Sequence, residues 1–237
     1  DLCVSAQDIS MKVVSWAMAL APIAVFGLLA QVCVESGLDA ILGMSVYIGT
    51  VLLGLLLLLV FYLLVVLVFA GRKPVTFLGH IREAQLLAFS TSSSAAVMPL
   101  SMKCAEEKLQ VSKPVVQFVI PLGATVNMDG TALYQVIAAV FLTQVYGIDL
   151  TLGQLSLLAA TTVGASIGSP STPGVGIVIL ATIVQGIGVP AEGIALILGV
   201  DRILDMARTA VNVSGDLTAS VVMENWLDSD LIEQVKT

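Results

Sequence analysis

Five residues near the C-terminal end combine chemistry and spacing in a way their apolar surroundings do not explain. Asp201, Asp205, Arg208, Asn212 and Asp216 stand at offsets of 0, 4, 7, 11 and 15. At about 100° per residue they fall within an arc of roughly 60–80° on one helix, with Thr209 at its border. Charged groups at bilayer depth are costly and must face a cavity, partners or ions. A fixed ion-pair network stitching helices together is the alternative. The excess of three carboxylates over one arginine on this face argues against it.

A second cluster, Asn127-Met128-Asp129-Gly130-Thr131, interrupts another apolar stretch. Asn127 and Asp129 point to opposite sides of a continuous helix. If the helix unwinds at Gly130, they can share a cation with exposed carbonyls, and hard monovalent cations take such oxygen ligands. Thr125 and Thr131 add hydroxyls nearby. Two further segments are short apolar arms around a polar centre. The first carries Ser90-Thr91-Ser92-Ser93-Ser94, and the second Gly168-Ser169-Pro170-Ser171-Thr172-Pro173-Gly174. Turns there offer free helix-end N–H groups and hydroxyls to an anion.

Competing signals are weaker. Gly164-Ala165-Ser166-Ile167-Gly168 matches the G-x-S-x-G nucleophile pattern. That pattern needs a strand before it, a helix after it and a histidine in reach. The one histidine, His80, reads as a solvated loop residue, so an intramembrane hydrolase is disfavoured and no enzyme is expected. Asn212-Val213-Ser214 matches a glycosylation acceptor inside an apolar span and is read as a false positive. Cys3, Cys33 and Cys104 are widely spaced and odd in number, and read as incidental thiols.

The elements that must hold these groups follow from composition. Of the 237 residues 57% are hydrophobic and 11% charged, and the mean hydropathy is +1.01. A soluble domain carries roughly 25% charged residues. Ile41 to Ala70 contains no formal charge, and a membrane span needs about 20 residues. The chain is therefore an integral membrane protein. Its net charge of −7 argues against nucleic acid as a partner. The absence of a starting Met at Asp1 suggests a piece of a longer protein.

The apolar pattern predicts a span and loop over 1–40, its helix at about 13–34 with Pro22 inside. Residues 41–223 hold a helix over 41–70, a first hairpin over 75–102, and a broken helix over 114–145. A second hairpin over 155–187 and a last helix over 191–223 complete this stretch. An acidic cytoplasmic tail over 224–237 follows, and Lys103 to Lys113 is read as a polar loop. If both interrupted segments enter and leave on the same side, Lys12, Arg72, Lys73, Arg82, Lys103, Lys108, Lys113 and Lys236 share one face. The loops near Gly37, Gly147 and Gly188 carry no lysine or arginine. The positive-inside rule makes the basic face cytoplasmic. Two interrupted segments in matching positions mark an inverted-repeat transporter with a midplane site. The fold class is thus an all-α polytopic membrane protein with transmembrane helices and two re-entrant helical hairpins.

This combination resembles the dicarboxylate/amino acid:cation symporter family, which includes the excitatory amino acid transporters and their prokaryotic homologues. The matching pieces are Thr91-Ser92-Ser93-Ser94, Asn127-Met128-Asp129-Gly130-Thr131, the tip ending Pro173-Gly174, and Asp201 through Thr209 with Asn212 and Asp216. The resemblance implies the C-terminal part of an elevator-type transporter, with a scaffold-type span over 1–40 and the transport core over 41–223, homotrimeric, in the plasma or bacterial inner membrane and in contact with lipid. It implies symport of aspartate or glutamate with more than one sodium ion. A C4-dicarboxylate carrier and, in a different class, a channel are the alternatives.

By the same resemblance the substrate contacts Ser93, Thr131, Asp205, Arg208, Thr209 and Asn212. Arg208 would hold a side-chain carboxylate and Asp205 the ammonium. The main-chain carboxylate would lie on the tips, at Ser92 and Ser93 on one and Pro173 and Gly174 on the other, and on Asn212. One sodium takes carbonyls of Gly123, Asn127 and Asn212 with the Asp216 carboxylate. A second takes carbonyls at Thr125, Ser166, Ile167 and Ser169, and a third uses Asn127 and Asp129. Departures exist as well. The second tip reads Ser169-Pro170-Ser171-Thr172, and Thr91 and Met206 stand where relatives carry a second arginine. Proton-coupled relatives place a glutamate where this chain has Gln135, so no proton co-transport is expected at that position. The family's four preceding spans are missing.

Overall fold

A computed structural model describes residues 43–190 and 192–227, together with Lys12, Trp16, Ile23 and Gly27. The predicted first span over 13–34, the Gly37 loop, Cys3, Cys33 and the end of the tail lie outside the described residues. Every regular element among the described residues is helical.

Helix α1 (Gly43–Ala70) is long and apolar enough to cross a membrane, with a mean hydropathy of 3.3 over its best window. Its buried side chains, Met44, Tyr47, Val51, Leu55, Tyr62 and Val66, recur at three-, four- and seven-residue steps and so form one stripe. Leu53, Leu56, Leu57, Phe61, Leu64 and Val68 stand on the other side, each more than half exposed. Exposed leucine and phenylalanine at this density suit lipid rather than water.

Helices α2 (Pro74–Thr91) and α3 (Ser94–Lys103) form the first helix pair. Pro74 sits in the first turn of α2, where its missing N–H costs nothing. Ser92 ends α2 in the left-handed region at φ 52°, its N–H donating to Ala88 O. Ser93 caps α3, its Oγ accepting from the N–H of Ala96 at 3.3 Å. The turn is thus only two residues; Ser90 and Thr91 belong to the helix. His80 also lies within α2, not in a loop. The expected polar loop after α3 is likewise partly helical, because Cys104–Lys108 closes a π turn.

Helices α4 (Lys113–Val126) and α5 (Asp129–Val145) are the two halves of the broken helix. The break falls at Asn127 and Met128 rather than at Gly130. Asp129 opens α5, where a carboxylate suits the positive helix end. Gly130 is helical, and its N–H donates to Asn212 Oδ1 at 2.8 Å. An otherwise unpaired first-turn donor is thereby satisfied.

The second pair is α6 (Leu152–Ile167) and α7 (Val175–Gly186). A reciprocal Thr151–Gln154 cap opens α6. Gly174 precedes α7 at φ 79°, a conformation that excludes most other residues.

Helix α8 (Glu192–Trp226) is the axle, about 52 Å long at 1.5 Å per residue. Ile197, Val200 and Leu204 pack in one core with α1, α5, α6 and α7. Val213, Leu217 and Val221 pack in a second with α2, α3 and α4. Helix α8 continues past 223, and Glu224 accepts from both the N–H and the hydroxyl of Ser112 at the start of α4.

Candidate functional site

The polar face of α8 lies between the two cores. Asp201, Asp205, Arg208, Thr209, Asn212 and Asp216 are all buried, none more than 5% exposed. Buried charge is tolerated only when paired, and the pairings differ along the helix. Arg208 donates from Nε and Nη2 to Asp205 Oδ1 at 3.0 and 2.9 Å. Its Nη1 reaches Asp201 Oδ1 at 3.3 Å. The guanidinium stacks over the Tyr134 ring, 4.3 Å from its centroid. Gly176, in the first turn of α7, makes room for it: a Cβ there would stand 2.6 Å from Nη2.

Both helix-pair tips converge on this face. The Gly174 N–H donates to Asp205 Oδ2 at 3.0 Å, so Asp205 bridges Arg208 and the second tip. Ser93 Oγ donates to the Ser171 carbonyl at 2.7 Å and joins the tips to each other. The Ser171 hydroxyl donates in turn to the Ala124 carbonyl of α4. Arg202 Nη1 donates to Ser92 Oγ at 2.9 Å and ties the first tip to α8. The cavity between them is about 20 Å3, lined by Ser92, Thr131, Asp205, Arg208, Thr209 and Asn212 among others. That is room for a water and not for an amino acid. The tips are closed.

The expected substrate residues therefore meet in one place. Ser93 and Gly174 act through the tip contacts just described, and Pro173 lies beside Gly174 in the turn. Thr131 Oγ1 accepts from Asn212 Nδ2 at 3.2 Å. Thr209 donates to the Asp205 carbonyl of its own helix.

The expected cation residues fall into separate groups. Asn127 Nδ2 donates to Asp216 Oδ1 at 2.9 Å and to the Asn212 carbonyl at 3.2 Å. Gly123 faces Asp216 so closely that a Cβ would stand 2.6 Å from its Oδ1. Gly123, Asn127, Asn212 and Asp216 are thus gathered. Asp129, Asn127, Ser166 and Ile167 border a separate, largely apolar cavity of about 730 Å3 between α1, α5 and α6. Ser169 lines the closed cavity instead. Thr125 is exposed, its hydroxyl bonded back to Leu122 O of α4 at 3.0 Å. Ser166, the serine of the nucleophile-like pattern, donates to Val163 O of its own helix.

Several participants escaped the expected ligand sets. Asp201 was legible as part of the polar stripe. Ser171 stood in the sequence only as a departure at the tip. Arg202 stood in the matched Asp201–Thr209 run without a role of its own, and Tyr62 and Tyr134 gave no signal, since one polar atom on an apolar helix has no period to betray it.

Residues 1–226 match the family described as the sodium:dicarboxylate symporter family. The chain is 44% identical over 214 residues to the proton/sodium-glutamate symport protein of Bacillus subtilis, covering 90% of this chain and 50% of that protein. It is 40% identical over 228 residues to excitatory amino acid transporter 3 of Mus musculus, covering 95% of this chain and 43% of the relative. Excitatory amino acid transporter 4 of Rattus norvegicus is 38% identical, over 98% of this chain and 42% of its own length. The chain thus spans about half the length of the curated relatives it matches. With a matched region that takes in every charged residue of the α8 face and both tips, the chain belongs to the sodium:dicarboxylate symporter family of membrane transport proteins.

Proposed function

We propose that this chain carries, over 41–223, the transport domain of a sodium-coupled symporter for acidic amino acids. The two helix pairs act as re-entrant hairpins, and the domain moves as an elevator against a homotrimeric scaffold in the cell membrane. The observation that carries the reading is a charge imbalance at a closed tip. Of three buried carboxylates on this face, Asp201 and Asp205 share one guanidinium and Asp216 meets only the Asn127 amide. Co-bound cations offset an excess of buried negative charge that no side chain among the described residues neutralises.

Arg208 and Asp205 suit a ligand that carries both signs. A bound amino acid exchanges their mutual ion pair for two new ones, its carboxylate on Arg208 and its ammonium on Asp205. Asp201 stays on Arg208 through the exchange. A small neutral amino acid takes Asp205 and gives Arg208 nothing in return. Leaving a buried charge unpaired costs about 3–5 kcal/mol. A C4-dicarboxylate instead brings a carboxylate or a methylene to Asp205. The first is repelled and the second leaves the carboxylate bare.

Uptake into liposomes containing the whole transporter tests this. Labelled aspartate and glutamate accumulate under an inward sodium gradient, and succinate does not. Uptake of succinate at the rate of aspartate, or uptake indifferent to sodium, overturns the reading. Flux that never saturates points to a channel instead.

A further inference from the structure

One polar contact reaches the Asp129 carboxylate from an element with no expected part in binding. Tyr62, midway along α1, donates its hydroxyl to Asp129 Oδ2 at 2.8 Å across 67 residues of chain. Tyr62 is buried, whereas Asp129 is exposed toward the large cavity. The ring end of Tyr62 fits because α8 carries a notch at Gly215. A Cβ there would stand 2.8 Å from Tyr62 Oη and 2.5 Å from Asn127 Nδ2. The same notch therefore seats both side chains. Asn127 Nδ2 continues from it to Asp216 Oδ1, and Tyr62 Oη to Asp129 Oδ2.

We propose that Tyr62 is a positioning residue for the cation ligand Asp129, and that the Gly215 notch ties Asp129 to the Asp216 site. The inference rests on the reading of the site as sodium-binding. An ionised carboxylate offers about four acceptor positions, and a neutral phenol takes one of them. Oδ1 and the full charge remain for a cation. Holding the carboxylate in one orientation beforehand removes a rotamer cost from cation capture. The phenol also draws some electron density from the oxygen, which works the other way. Loss of a hydrogen-bond partner behind a metal ligand typically costs 10–100-fold in affinity, so positioning outweighs that draw. Because Asn127 occupies the same notch, displacing one side chain disturbs the seat of the other.

The test compares sodium activation of aspartate uptake by wild type and Tyr62→Phe in the whole transporter. Removing the hydroxyl alone raises the half-activating sodium concentration about tenfold. The aspartate KM at saturating sodium moves less than twofold. A merely structural role lowers Vmax and leaves sodium activation where it was. In an Asp129→Asn background, Tyr62→Phe adds no further change. Sodium-dependent stabilisation of the purified protein against heat reports the same shift without transport. Should Tyr62→Phe yield no folded protein, Gly215→Ala reports on the notch directly, and sodium activation unchanged in that variant overturns the proposal. Wild type without sodium activation overturns both this and the proposed function. Sodium-activated wild type with Tyr62→Phe within twofold of it overturns this inference alone.

Discussion

Arg208 is held by four different groups, and each bears on the ligand that the proposed site would accept. Asp205 and Asp201 neutralise it, Tyr134 flattens its position, and the bare backbone of Gly176 admits it. Arg208→Cys removes the only guanidinium on the α8 face. Uptake of aspartate and glutamate then falls by at least a hundredfold, in line with about 3–5 kcal/mol for a lost buried partner. Serine or alanine gains binding, since nothing remains unpaired when a neutral side chain enters. Competition against labelled substrate at fixed sodium reports both changes, and normal aspartate transport by the variant contradicts the assignment. Asp216 makes a second residue-scale case. It accepts from Asn127 and lies against Gly123, so Asp216→Asn removes a charge from the gathered cation group. Half-activating sodium rises about tenfold, as for a weakened ligand set. Linkage then requires the aspartate affinity to fall as well. A variant with unchanged sodium dependence would place the ion elsewhere.

At the scale of elements, the tips are the part that must move for a ligand to enter. Ser171 holds the second tip to α4 through the Ala124 carbonyl and to the first tip through Ser93. Ser171→Ala keeps the second contact, which uses its own carbonyl, and loses the first. A single cysteine at Thr172 is then modified several-fold faster by a thiol reagent without sodium or substrate, and an unchanged rate argues that Ala124 is no latch. Much of this architecture was legible beforehand. Apolar length located α1, and proline-rich and serine-rich interruptions located both helix pairs. The one-face charges of α8 located the buried polar cluster. What stayed hidden had no periodic signature. The break at Asn127 depends on Asn212 capturing the Gly130 N–H from another helix. The π turn after α3 arises within a charged run that reads as loop. The helical extension to Trp226 depends on Glu224 meeting Ser112, a partner 112 residues away.

For the whole molecule, the consequential expectation is which side each connection faces. The lysines and arginines at 72–113 gather on one side only if the α2–α3 pair turns back at its tip. A crossing pair would put the loop around Glu107 opposite Arg72 and Lys73, and the broken helix α4–α5 would then return the α5–α6 turn to the side of Arg72. Packing of both tips against the middle of α8, where Arg202 and Asp205 hold them, fits turning back at depth. Glu107 and Asp149 are both exposed and serve as reporters. With Cys3, Cys33 and Cys104 replaced by alanine in the whole transporter, Glu107→Cys and Asp149→Cys are each exposed to a membrane-impermeant thiol reagent on intact cells. Asp149→Cys is labelled at once, because the loop near Gly147 lacks lysine and arginine and faces outward. Glu107→Cys is labelled only after the membrane is permeabilised. Glu107→Cys labelled from outside, with Asp149→Cys labelled only after permeabilisation, means that the serine-bearing pair crosses the bilayer. The midplane meeting of the two tips then loses its basis, and with it the closed cavity as the site of transport.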